Sequence, residues 1–188
     1  VQNLLVVSNP TPVKNVQELI ALAKANPGKL NYASGGPGST SHFAVAMFIA
    51  LAGIQDITVH VPFRGGGPAM QDLVAGRIDY QCALANLAMP QIEGKNVKPI
   101  AVLAPGRSLL MPAVPSLGEQ GLSDFDASAW NAIVLPKGTP RAVAEKLHKA
   151  IFEALDTPAV RDRLNQMGAT VIAKERRSSG YLQRWTEA

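Results

Sequence analysis

Cysteine, aromatic residues and long apolar runs are all scarce in this chain, and each scarcity excludes something. The single cysteine, Cys82, rules out an internal disulfide and any cysteine-based metal site. It lies in an apolar, strand-like run, where a thiol is inert packing rather than a nucleophile. No apolar run reaches the roughly 18–20 residues of a membrane-spanning helix. Basic residues do not concentrate on one stretch except at residues 174–177, where Glu175 interrupts them, so the basic face of a nucleic-acid-binding protein is missing. His42, His60 and His148 have no partners at metal-ligand spacing, and no metal is expected. No Gly-x-Ser-x-Gly elbow occurs, so nothing marks an exposed catalytic serine.

What remains is a chain of 188 residues with 47% hydrophobic and 17% charged residues, the balance of a folded globular protein. The net charge of +4 is mild and suits an anionic small molecule better than a polyanion. The chain opens on Val1-Gln2-Asn3-Leu4-Leu5-Val6-Val7, a strand already under way. We therefore expect that processing or truncation has removed what came before.

Strand and helix patterns alternate along most of the length. Strands are expected at residues 4–7, 29–33, 58–61, 78–84, 99–103, 129–135 and 170–173. Helices are expected from Asn15, whose side chain and that of Glu18 form a capping-box pattern, to about Ala25. Further helices are expected at residues 41–52, from Pro68 to about Ala75, around 86–92, after Ser116-x-x-Glu119, at 140–155, from Pro158 to Gly168, and at 178–187. The Met47/Phe48/Leu51 face of the second helix reads as core. Repeated strand–loop–helix units predict an α/β fold: a mainly parallel sheet with helices on both faces.

The segment Tyr32-Ala33-Ser34-Gly35-Gly36-Pro37-Gly38-Ser39-Thr40-Ser41-His42 carries the most chemistry. A strand runs into a glycine loop and a helix begins at once, which directs backbone N–H groups and a helix's positive end to one place. Ser39, Thr40 and Ser41 can cap those amides or donate to a carboxylate or phosphate. No lysine follows the glycines, so this is not an ATP-binding P-loop, and the spacing misses the dinucleotide Gly-x-Gly-x-x-Gly. No cofactor is expected.

Ligands of parallel α/β sheets bind beyond the carboxyl ends of the strands. Three junctions could meet there: residues 34–42, 64–68 and 83–86. Each also has a plain explanation. The glycines equally suit plain tight turns with no ligand role. Arg64 could hold a carboxylate bidentately or sit solvated on its loop. Trp130 is either core or one wall of a cleft. Ser39 or Ser41 beside His42 could suggest a nucleophile and base, but neighbouring residues at a helix start rarely present that geometry, and no catalytic residue is assigned.

Six pieces, in order, resemble the substrate-binding proteins of tripartite tricarboxylate transporters, the Bug/TctC-type family. They are Val13-x-x-Val16-Gln17-Glu18-Leu19-Ile20-Ala21-Leu22-Ala23, Pro27-Gly28-Lys29-Leu30-Asn31-Tyr32-Ala33-Ser34-Gly35, and Gly38-Ser39-x-x-His42. After these come Val59-His60-Val61-Pro62-Phe63-Arg64-Gly65-Gly66 with Pro68-Ala69, then Val114-Pro115-Ser116-x-x-Glu119-x-Gly121, and Trp130 with Pro136-x-Gly138-Thr139-Pro140. The resemblance implies a type II-like periplasmic binding protein of two α/β lobes that closes on a small carboxylate and delivers it to membrane permease subunits. It implies a binding protein rather than an enzyme, in the periplasm, with the signal peptide outside this chain. Carried over residue by residue, it implicates Ser34, Gly35, Gly38, Ser39, Thr40, Arg64, Gly65, Gly66, Ala83 and Trp130.

By the same resemblance, residues 12–123 would form the ligand-binding lobe. Residues 1–11 and 124–188 would supply the hinge and the remainder of the other lobe. Two departures stand out. Family members often carry an aromatic-Asp pair where this chain has Cys82-Ala83, so an acceptor for ligand amino or hydroxyl groups is lost. The amino-terminal third of the family pattern, with the opposing ligand loop, is also missing. That lobe would be incomplete, and its open sheet edge would invite pairing with a second copy. Two alternatives stand beside this expectation: the effector-sensing domain of a transcription regulator, and a hydrolase using Ser39 or Ser41.

Overall fold

The computed structural model describes residues 1–123 and 125–187. They divide into two compact units, Val1–Trp130 and Asn131–Ala188. In the first unit, β1 (Asn3–Ser8), α1 (Val16–Ala25), β2 (Asn31–Ser34), α2 (Thr40–Leu51), β3 (Val59–Pro62), α3 (Gly66–Val74), β4 (Tyr80–Leu84), α4 (Ala85–Glu93) and β5 (Val97–Val102) follow one another. The five strands form one sheet in the order β3-β2-β4-β1-β5. β2 runs parallel to β3 and β4, whereas β1 is antiparallel to both β4 and β5. Four strands therefore share a direction, and their carboxyl ends meet the loops that open α2, α3 and α4.

Side-chain alternation splits this sheet's core into two layers. Leu5, Val7, Tyr32, Tyr80 and Cys82 pack with Val16, Leu19 and Ala23 of α1 and Ala44, Val45 and Phe48 of α2. Leu4, Val6, Ala33 and Ala83 pack on the other face with Ala69, Met70 and Leu73 of α3 and Ala85 and Ala88 of α4. β1 is buried along its whole length, as a strand apolar on both faces must be. The sequence places residues 1–11 with the hinge and the other lobe, yet β1 lies inside this sheet. The boundary residue expected there, Asp124, lies outside the described residues.

Local signals worked as the chemistry requires. The Asn15 side chain accepts the Glu18 N–H at 2.8 Å, and Glu18 returns a bond to the Lys14 N–H. Ser116 and Glu119 close a second capping box around a single 3-10 turn at Gly118–Gln120. α2 departs from expectation. Phe48 is fully buried, but Met47 and Leu51 are 46% and 47% exposed. The helix is apolar on nearly every side, so its sequence does not single out the face that Ala44, Val45, Phe48 and Ile49 bury.

The second unit contains α5 (Arg141–Asp156), α6 (Pro158–Gln166) and α7 (Ser179–Glu187), with a 3-10 turn at Lys174–Arg176. The strands expected at residues 129–135 and 170–173 do not form. Ala129 exchanges two backbone bonds with Val1, but residues 131–135 are exposed and join no ladder among the described residues. A strand exists only where a neighbour accepts its hydrogen bonds. Within this unit Asp156 bonds Lys174 and Arg177 at 2.8 and 3.0 Å. The Lys174 and Arg177 bonds hold its carboxyl below the ordinary carboxylate range. No helix among the described residues is long and apolar enough to cross a membrane.

Candidate functional site

A cavity of about 120 Å³ lies at the carboxyl ends of the parallel strands, lined from all three strand–helix junctions. Gly35, Ser39, Thr40 and Ser41 come from the first, Gly65 and Gly66 from the second, and Ala83, Leu84 and Leu87 from the third; Gln81 of β4 completes the wall. Backbone packing is close here. A Cβ on Gly35 would sit 3.4 Å from the Gly66 nitrogen, and one on Gly66 would sit 2.7 Å from Leu87 Cδ2. Gly65 holds φ +117°, a conformation that favours glycine.

The glycine loop bonds mostly to itself. Gly35 N–H donates to Ser41 Oγ at 2.9 Å, Gly36 N–H to Ser34 Oγ at 3.2 Å, and Gly38 N–H to His42 Nδ1 at 3.3 Å. Ser39 N–H donates to the Gly36 carbonyl, and so does Ser39 Oγ, at 2.7 Å. With that proton committed, Ser41 is the donor in the 3.1 Å Ser39–Ser41 hydroxyl pair. Ser39 Oγ also accepts the His42 N–H, capping α2. The expected donation from loop amides and serine hydroxyls is thus internal, because a loop this tight satisfies its own polar groups.

Free donors instead come from the first turns of two helices. Thr40 and Ser41 open α2 and Gly66 opens α3, where backbone N–H groups have no intrahelical acceptor. α3 has no side-chain cap at Gly65, and Pro68 in its first turn carries no N–H. Both positive helix ends meet at a wall without an ionisable residue.

Of the residues expected from sequence, Gly35, Ser39, Thr40, Gly65, Gly66 and Ala83 line this cavity. Ser34 is fully buried behind the loop, where its hydroxyl meets His60 Nε2 at 2.7 Å. Gly38 and Arg64 are exposed and not part of the lining, and Trp130, at the end of the first unit, is 54% exposed and also outside it. His60 stacks between Tyr32 and His42, with ring centroids 4.9 Å away on each side. Burial, reinforced by His42, pushes its imidazole below the ordinary value. Cys82 is fully buried and burial raises its thiol pKa far out of the reactive range.

Ser41, which the sequence marks as a possible amide cap or anion donor but which the resemblance does not implicate, also lines the cavity. Leu84 falls within the expected 83–86 junction, whereas Gln81 and Leu87 carry no sequence signal of their own for a site. Period-two alternation from Ala83 does place Gln81 on the same face, which is the signal that would have found it. Among the described residues no group of three or more His, Cys, Asp and Glu could hold a metal ion.

A mostly parallel sheet with one reversed strand, and a cavity at its strand ends, is the architecture of the periplasmic binding proteins. BugD, solved as one, superposes with a TM-score of 0.92 at 29% identity over 99% of this chain and 61% of its own. The chain belongs to the family described as tripartite tricarboxylate transporter family receptor, whose model matches residues 2–183. MatC of Rhodopseudomonas palustris, solved with bound malate, is 33% identical with a TM-score of 0.92, covering 99% of this chain and 63% of that one. Protein BugT of Bordetella pertussis is 34% identical across 97% of this chain and 57% of its own length. The protein encoded between tcbD and tcbE in Pseudomonas sp. strain P51 is 37% identical over 88% of this chain and 49% of its own. The chain thus spans about half the length of these curated relatives.

Proposed function

We propose that this chain is the carboxylate-holding part of an extracytoplasmic receptor serving a tripartite tricarboxylate-type membrane transporter. The convergence of the α2 and α3 N-termini on a wall without carboxylates carries this reading. Each helix end offers partial positive charge and unpaired N–H groups, the environment an anion exchanges for water at least cost. The Thr40 hydroxyl adds a donor, and Arg64, next to Gly65, lies exposed where it can meet an incoming acid. Similar solved structures, MatC with bound malate and Rpa4515 of R. palustris with adipate, support a small carboxylate as the ligand class.

The serine chemistry supports binding rather than hydrolysis. Neither Ser39 nor Ser41 bonds the His42 ring, and Ser34, which does meet a histidine, is buried away from the cavity. In the whole receptor, residues 12–123 together with β1 would form one lobe, and residues beyond it would belong to the other. Periplasmic residence and handover to permease subunits follow from the same reading. The sensing-domain alternative shares this architecture, but the family match is to transport receptors.

Calorimetric titration of the full-length protein with mono-, di- and tricarboxylates tests the assignment. Binding of at least one acid, weakened several-fold by Thr40→Val, is the expected result. A well-folded protein that binds none would sink it.

A further inference from the structure

Gln81 is the one polar group on the cavity wall that a carboxylate cradle leaves unexplained. It is fully buried in β4, with Val6 and Ala33 as its neighbours in register. Neither its Nε2 nor its Oε1 has a hydrogen-bond partner among the described residues. Among the described residues it is the only buried side chain with both amide atoms in that state. An unsatisfied buried amide costs the fold free energy, and such a cost persists where a ligand supplies the partners.

The amide's chemistry narrows the ligand. A primary amide offers donors at nitrogen and an acceptor at oxygen. A carboxylate has acceptors only, so it can satisfy Nε2 but not Oε1. The group facing Oε1 must bring a proton, which leaves a hydroxyl or an ammonium. No acidic residue lines the cavity, and Ala83, on the same face of β4, adds none. An ammonium would therefore enter without a counter-charge, whereas a hydroxyl needs none.

We propose that Gln81 is a specificity-determining residue that pairs with a hydroxyl beside the ligand's carboxylate, making the site selective for 2-hydroxy acids over their deoxy and amino counterparts. This rests on the carboxylate-receptor reading above. Titrating the full-length protein with malate against succinate, 2-hydroxyglutarate against glutarate, and aspartate separates the two ideas. Each hydroxy acid should bind at least about tenfold more tightly than its deoxy partner, and malate more tightly than aspartate, because the unhydroxylated acid leaves a buried acceptor unpaired. In Gln81→Leu and Gln81→Met the preference should fall below about threefold while succinate still binds. Without ligand, both variants should melt at or above the wild-type temperature, since the unpaired amide is gone.

Equal affinities within each pair, or a preference that survives both substitutions, would overturn the proposal and leave the carboxylate reading standing. A lowered melting temperature in both variants would make Gln81 a structural residue and overturn it as well. If the wild type binds none of these acids, the carboxylate reading fails and this proposal with it. Should Gln81→Leu fail to fold, the unbranched methionine variant supplies the comparison.

Discussion

Ser39 organises the glycine loop with one hydroxyl, which donates to the Gly36 carbonyl and accepts the His42 N–H. Ser39→Ala removes a helix cap and a loop strut together, so it should lower stability by about 1 kcal/mol. It should also loosen the ligand cradle indirectly. Thr40→Val should do the reverse, weakening acid binding with little change in melting temperature; the two variants, melted and titrated side by side, separate positioning from contact. His60 makes a pH prediction. Its lowered pKa means the folded protein binds fewer protons than the unfolded chain just below pH 6.5. Stability should be full above about 6.5 and fall as pH descends through that window, and His60→Gln should flatten the slope in urea melts at several pH values.

At the scale of elements, the α2 and α3 starts matter more than the strands that lead to them. Gly65 at φ +117° turns β3 into α3 at the point where Gly65 and Gly66 line the cavity. Gly65→Ala should cost about 1–3 kcal/mol in backbone strain and weaken acid binding as the helix start shifts, measurable by denaturation and titration of one sample. Asn15→Ala, which removes the α1 cap far from the cavity, should cost about 1 kcal/mol and leave affinity unchanged. Most elements were legible in the chain because capping boxes, glycine punctuation and apolar periods act locally. The exceptions are physical. α2 is apolar all round, so Met47 and Leu51 were misplaced. Residues 129–135 look like a strand but join no ladder. Gln81 sits inside an apolar run where pattern reading treats it as filler, and only the cavity beside it gives its amide a meaning.

For the whole molecule, the two units differ in what they bury. The first closes a two-layer core around its sheet. The second buries no hydrophobic side chain among its described residues, and its buried polar residue is Arg177, bonded to Asp156 and the Ile172 carbonyl. Residues 1–130 expressed alone should therefore melt cooperatively, while residues 131–188 alone should show no sharp transition by circular dichroism. A cooperative melt of the second fragment would overturn that contrast.

By itself the sequence determined the alternation of strands and helices, the glycine-rich starts of α2 and α3, and the lack of a nucleotide, metal or disulfide signature, since these follow from short-range preferences. Only the tertiary structure decided which amides of the glycine loop are already bonded, which helix ends meet, and that Gln81 is buried unpaired beside them. Those outcomes depend on groups distant in the chain competing for the same hydrogen bonds, and such competition is resolved only once the sheet has brought them together.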